Sequence, residues 1–185
     1  MEWYKFNIND LAEEEYKEFF ELLNPKKRER IKRLKKTDDK KRSVCAEMLV
    51  KSVISKKYGI NIEDIVIDTY ENGKPFCKNV DVAFNISHSG EYAVCAFGEK
   101  AIGIDIQKIV PYNEKTAKKV CLREEFEAVE KSADKAAEFI KLWTKKEAAL
   151  KMQGDISFCD IKTCTKGKRI ETFRFSDYFV SICEK

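Results

Sequence analysis

Four clusters in the 185-residue chain carry side chains able to do chemistry. The stretch FNISHSG (Phe84 to Gly90) places the single histidine, His88, between Ser87 and Ser89 at a strand end beside a glycine turn. With an ordinary pKa of about 6.5, a histidine there protonates readily next to an anion and can donate to a phosphate. Both serines add hydroxyl donors, and a purely structural turn histidine fits the pattern equally well. Ser-His hydrolase chemistry is poorly supported, because chain neighbours on a strand point to opposite faces. In AIGIDIQKI, Asp105 ends an apolar strand with Gly103 two residues before it. A carboxylate so placed can bind a hard cation such as Mg²⁺, which takes oxygen ligands and keeps several waters. It can equally cap the next turn, and on the pattern alone capping is the simpler reading. In FIKLWTKKEAALKMQG, Glu147 and Lys151 are four apart and share a helical face with Trp143, while Lys146 points elsewhere. That spacing also describes an ordinary surface ion pair, so it does not separate the two uses. The fourth cluster is basic: Lys27 and Arg30 fall on one helical face, and Arg42 opens the following helix.

The basic cluster concentrates the chain's charge. Net charge is only +4, yet Lys26 to Arg42 hold eleven basic and three acidic residues. A positive segment in an otherwise mildly acidic chain points to an anionic partner, the alternative being a solvated lysine-rich face. No aromatic residue interrupts the segment, which argues against a stacking nucleic-acid surface. At 43% hydrophobic and 37% charged residues the chain is a folder, not a disordered tail. One histidine excludes a His-rich metal cage. No apolar run approaches the roughly 20 residues of a membrane span, and MEWYKFNIND lacks the apolar core of a secretory signal, so a cytoplasmic protein is expected. The seven cysteines, among them Cys95, Cys159 and Cys183, form no CxxC pair. They read as reduced core residues.

These side chains need elements to hold them. Asp10 with Glu13 reads as a capping-box start for a first helix. A short basic helix runs from Lys26 to about Lys36, and a longer one reaches Tyr58 with Gly59 as its stop. Strands follow at IVIDTY, VAFNIS, YAVCAFG and AIGIDI. Two helices, Asn113 to Lys131 and Ala133 to Met152, precede a closing pair, RIETFRF and YFVSIC. Each half thus offers a long helix and antiparallel strands. The expected fold class is α+β, with two similar halves, 1–104 and 105–185, as a diverged duplication.

Read together, GKPF…FNISHSGEYAVCAFGEKAIGIDIQKI…LWTKKEAALKMQG (73 to 153) resembles the 4'-phosphopantetheinyl transferase superfamily, in its branch of two fused pseudo-repeats. The three motifs occur in order, and NPKKRERIKRL and KRSVCAEMLVKSVI resemble the family's opening region. The resemblance implies two halves related by pseudo-twofold symmetry, each with a long helix on a small antiparallel sheet. It implies Mg²⁺-dependent transfer of phosphopantetheine from coenzyme A to a serine of an apo acyl or peptidyl carrier protein, releasing adenosine 3',5'-bisphosphate. Asp105 and Glu147 match metal ligands, Glu147 also a group that helps deprotonate the serine, and Lys151 the lysine on the phosphates. His88, Arg42, Lys27 and Arg30 match the groups on the 3'-phosphate of coenzyme A, and Lys74 and Ser87 further nucleotide contacts. Glu125 matches an acidic residue near the metal and a candidate base. Where many members have a third carboxylate this chain has Gln107, whose carbonyl or a water would complete the metal site. A monomer without nucleic-acid or membrane partners is expected. A Mg²⁺-dependent phosphoesterase and a basic nucleic-acid binder are the rival readings, and neither accounts for the ordered motifs.

Overall fold

The computed structural model describes residues 2–154 and 161–185, so Cys159 lies outside the described residues. The fold is α+β, and the chain divides into two compact units, one ending at Glu99 and the other starting at Lys100.

In the first unit, β1 (Glu2–Asn7) is followed by a 3₁₀ turn (Ile8–Asp10) and three helices, α1 (Glu13–Glu21), α2 (Pro25–Lys32) and α3 (Thr37–Tyr58). The expected capping box at Asp10 does not form. Asn7 instead accepts from the Asn9 N–H to cap the 3₁₀ turn, and Leu11, nearly fully buried, takes an extended conformation. Helix α1 therefore starts later, where Glu15 Oε2 accepts from the Ala12 N–H at 3.1 Å. Helix α3 stops where Gly59 turns left-handed at φ 67°, a conformation that glycine adopts without steric cost. Among the described residues, two short strands, β2 (Ile67–Thr69) and β3 (Pro75–Cys77), pair only with each other. Strands β4 (Ala83–Ser89) and β5 (Tyr92–Gly98) form a hairpin, and β5 also pairs antiparallel with β1. Helix α3 packs on this three-stranded sheet, burying Val50, Val53 and Ile54 against Phe84, Cys95 and Phe97. Each such side chain removed from water contributes about 1.5–3 kcal/mol.

The second unit opens with β6 (Ile102–Lys108), which carries residues 104 and 105 and so lies whole within it. The helix expected from Asn113 to Lys131 is two helices, α4 (Glu114–Val120) and α5 (Arg123–Lys131). Cys121 and Leu122 between them are extended, and Glu125 Oε2 accepts from the Leu122 N–H at 2.7 Å, which starts a new helix there. Next come α6 (Lys135–Gln153) and the hairpin β7 (Arg169–Phe175) and β8 (Tyr178–Glu184). Strand β8 is central, antiparallel to both β6 and β7. Helix α6 lies on β6 and β8, with Ala148, Ala149 and Leu150 packed into a core that includes Phe179 and Cys183. Each unit thus runs strand, long helix, hairpin, with the first strand paired to the last. No described helix is long and apolar enough to cross a membrane.

Candidate active site

In the second unit the candidate residues meet where β6 faces α6. Strand alternation puts Gly103, Asp105 and Gln107 on one face. A Cβ at Gly103 would lie 2.0 Å from the Ala148 carbonyl oxygen and 2.4 Å from the Met152 nitrogen, so this face is the one against α6 and only glycine permits the approach. Asp105 is 6% exposed, and its Oδ1 lies 2.6 Å from Lys151 Nζ. Glu147, one helical turn before Lys151, is half-buried. Burial raises its pKa above the ordinary carboxylate value, the negative charge of Asp105 raises it further, and Lys151 partly offsets both. Asp105, Glu147 and Lys151 therefore form one electrostatic group. Half-buried Gln107 shares the strand face of Asp105. Two mutually repelling carboxylates with an amide oxygen on the same face are a hard-donor set that suits a divalent cation such as Mg²⁺. Among the described residues, no three His, Cys, Asp or Glu side chains gather as a metal cluster.

Glu125 is held on a different side of α6. Its Oε2 caps Leu122 and lies 2.9 Å from Lys146 Nζ. Lys146 is 0% exposed and also donates to the carbonyls of Ile161 (3.2 Å) and Lys162 (2.8 Å). Its burial is not among the expectations drawn from the sequence, although a signal for it is present there. Phe139, Trp143 and Leu150 lie seven and three residues before Lys146 and four after it, the spacing of one apolar face.

In the first unit the basic residues line a cavity of about 150 Å³ whose walls include Lys26, Lys27, Arg30, Glu47, Gly73 and Pro75. Asn24 sets the helix that presents them: its side chain accepts from the Lys27 N–H (2.9 Å) and donates to the Ile67 carbonyl (3.0 Å). Lys27 Nζ lies 2.7 Å from Glu47 Oε2. Glu47 is 2% exposed, and its Oε1 has no hydrogen-bond partner among the described residues. Lys74 follows Gly73, which turns the β2–β3 hairpin at φ 82°, and burial lowers the pKa of its ammonium. Arg42 donates to the carbonyl of Gly90 in the β4–β5 turn and pairs with Asp39. Arg42 holds the Asp39 carboxyl below its usual range, with a smaller contribution from the charge of His88. His88 shares its strand face with Ile86, which lines the cavity, whereas Ser87 is buried on the opposite face. The basic cluster is thus partly paired with acids, Arg28 with Glu21 and Lys32 with Glu29 besides the pairs above. Neither Glu47 nor Asp39 was singled out in the sequence, because each is an ordinary helical acid until the tertiary structure sets it against a base.

The two units correspond to two family models: residues 10–100 match the 4'-phosphopantetheinyl transferase, N-terminal model, and residues 101–183 the 4'-phosphopantetheinyl transferase superfamily model. The chain belongs to the 4'-phosphopantetheinyl transferase superfamily. It is 37% identical over 147 residues to 4'-phosphopantetheinyl transferase Sfp of Bacillus subtilis (strain 168), covering 78% of this chain and 66% of that one. It is 30% identical over 153 residues to 4'-phosphopantetheinyl transferase gsp of Aneurinibacillus migulanus, covering 82% and 59%. Against 4'-phosphopantetheinyl transferase psf-1 of Bacillus pumilus it is 29% identical over 161 residues, covering 83% and 69%. The chain spans about two thirds of the length of the curated relatives it matches.

Proposed function

We propose that the protein transfers the 4'-phosphopantetheine group of coenzyme A to a serine of an apo carrier protein and releases adenosine 3',5'-bisphosphate. The carrying observation is the convergence of Asp105, Glu147 and Lys151 where β6 meets α6, inside the segment matched by the superfamily model. In this reaction the serine oxygen gives its proton to Glu147 and forms a bond to phosphorus as the bond to the departing bisphosphate breaks, and negative charge grows on the phosphate oxygens. Asp105, Glu147 and the carbonyl of Gln107 would hold Mg²⁺, which supplies charge neutralisation at those oxygens. The Lys151 ammonium, one turn along α6 from Glu147, stabilises the phosphates directly. The first unit supports the nucleotide end. Lys27 and Arg30 in the cavity wall, Lys74 beside it, and Arg42 with His88 at the β4–β5 turn suit a ligand that carries three phosphate groups. Ser87, buried on the opposite face of that strand from His88, is not part of this set.

The shared order of strand, long helix and hairpin supports descent of the two units from one ancestral repeat, with pseudo-twofold symmetry, as expected for halves 1–104 and 105–185. Six described cysteines are free and five of them buried, which supports a reducing compartment such as the cytoplasm. The test is to incubate the protein with Mg²⁺, coenzyme A and apo carriers of the fatty-acid and peptide-synthesis types and weigh the carriers intact. One of them should gain a single phosphopantetheine group. If every carrier stays at its apo mass, the reading fails.

A further inference from the structure

The feature left unused by this chemistry is a buried charge. Lys146, next in the chain to Glu147, has no exposure to solvent, and its ammonium reaches three acceptors: Glu125 Oε2 at 2.9 Å and the carbonyls of Ile161 and Lys162 at 3.2 and 2.8 Å. An ammonium has three donors, so the set is satisfied in full. Glu125 is itself anchored, because the same Oε2 accepts from the Leu122 N–H that begins α5. An apolar side chain would fill this space at lower solvation cost, but it would not fix a direction. The ion pair does: it ties one side of α6 to the start of α5 and to the chain at 161–162.

On another side, α6 is pressed against β6, where Gly103 leaves no room for a Cβ beside Ala148 and Met152. Held at both places, the helix has little freedom to turn about its axis. That matters for Glu147, since side-chain ends lie about 5 Å from a helix axis and a turn of about 20° would carry the carboxylate about 2 Å from its place. A metal site tolerates much less displacement than that.

We propose that Glu125 and Lys146 are positioning residues: the buried pair sets the rotation of α6 and thereby the cation affinity of the Asp105 and Glu147 carboxylates. This rests on the transferase reading above. Glu125 then acts through Lys146 and not on the reacting atoms.

The test is calorimetric titration of Mg²⁺ into the protein with coenzyme A and no carrier, so that nothing turns over, for wild type, Glu125→Gln and Lys146→Met. Each substitution is expected to weaken Mg²⁺ binding about tenfold, the lower end of what loss of support behind a metal site costs. At saturating Mg²⁺, carrier modification should return to within about threefold of wild type, since the reacting groups are intact. Unchanged Mg²⁺ affinity in both variants overturns the proposal. So does a loss of about a hundredfold in Glu125→Gln that persists at saturating Mg²⁺, the behaviour of a proton-transferring residue. If Lys146→Met does not fold, Glu125→Gln decides the matter alone, because it keeps the side-chain shape and an oxygen for Lys146. Failure of wild type itself to bind Mg²⁺ or to modify a carrier would overturn the transferase reading, and this inference with it.

Discussion

Asp105 shows how strongly one carboxylate depends on its surroundings. Buried and 2.6 Å from the Lys151 ammonium, it also raises the pKa of Glu147, so a strand carboxylate and two side chains one turn apart on α6, more than 40 residues further along the chain, share one charge balance. Gln107 adds an oxygen on the same strand face but no charge. Replacing it by a carboxylate should therefore strengthen cation binding and leave the remaining groups in place. Gln107→Glu is expected to retain transfer activity and to lower the Mg²⁺ concentration for half-maximal activity on the order of tenfold, because ligand charge count tunes cation affinity. A Mg²⁺ titration of activity checks this, and an equal or greater requirement in the variant contradicts it. On the nucleotide side, Arg42 is already engaged with Asp39 and the Gly90 carbonyl. Under the proposed function, a phosphate arriving there would meet a guanidinium whose direction is already set.

At the scale of elements, the approach of α6 to β6 decides whether there is a site at all. Gly103 makes it possible: its missing Cβ would collide with backbone atoms of α6, which cannot rotate aside as a side chain can. Gly103→Ala should therefore push helix from strand, destabilise the protein by about 3 kcal/mol, the upper range for overpacking, and separate Asp105 from Lys151. Thermal melts and Mg²⁺ titration together check this. A variant with wild-type melting and Mg²⁺ binding would show that the contact is not limiting. The break between α4 and α5 is the other decisive local event. A helix running unbroken from Asn113 to Lys131 would leave no extended Leu122 for Glu125 to cap, and so no fixed acceptor for Lys146.

At the scale of the molecule, each unit has its own buried core, and cysteines serve both as small apolar residues. Burial pushes Cys45 up to about 11 and Cys95 up to about 12 in the first unit, and Cys121 and Cys183 up to about 11 in the second. A thiol with so high a pKa holds almost no thiolate at neutral pH. In the folded protein a brief pulse of maleimide at pH 7.5 should label half-exposed Cys77 first and leave those four unmodified until denaturant is added, as read by peptide mass mapping. Equal labelling of Cys95 and Cys77 would contradict the core assignment. Binding of coenzyme A should raise the melting temperature, with stabilisation of about 2.7 kcal/mol at a hundredfold excess over Kd. The 3'-dephospho form should give a smaller shift at equal concentration, since it lacks the group assigned to His88, Arg42, Lys27 and Arg30. Equal shifts would remove that assignment.

Much of this was legible in the sequence. The α+β class, the long helix ending at Gly59, the two hairpins, and Asp105, Glu147 and Lys151 as candidates follow from periodicity, glycine placement and ordered motifs, all of them local signals. What local signals do not carry is which charges face one another. The apolar spacing around Lys146 points it away from Glu147 and into the core, but it does not say which groups will receive the buried ammonium. The resemblance makes Glu125 a candidate base, and the fold adds what the sequence does not carry, its ion pair with Lys146 and its bond from the Leu122 N–H. The Asn113 to Lys131 helix looked continuous, because propensity does not register a side chain that caps the backbone midway. Spacing along the chain determined which groups exist and which share a helix or strand face. Packing between elements decided their partners, because the cost of burying a charge depends on what lies within about 4 Å of it, and only the tertiary structure supplies that.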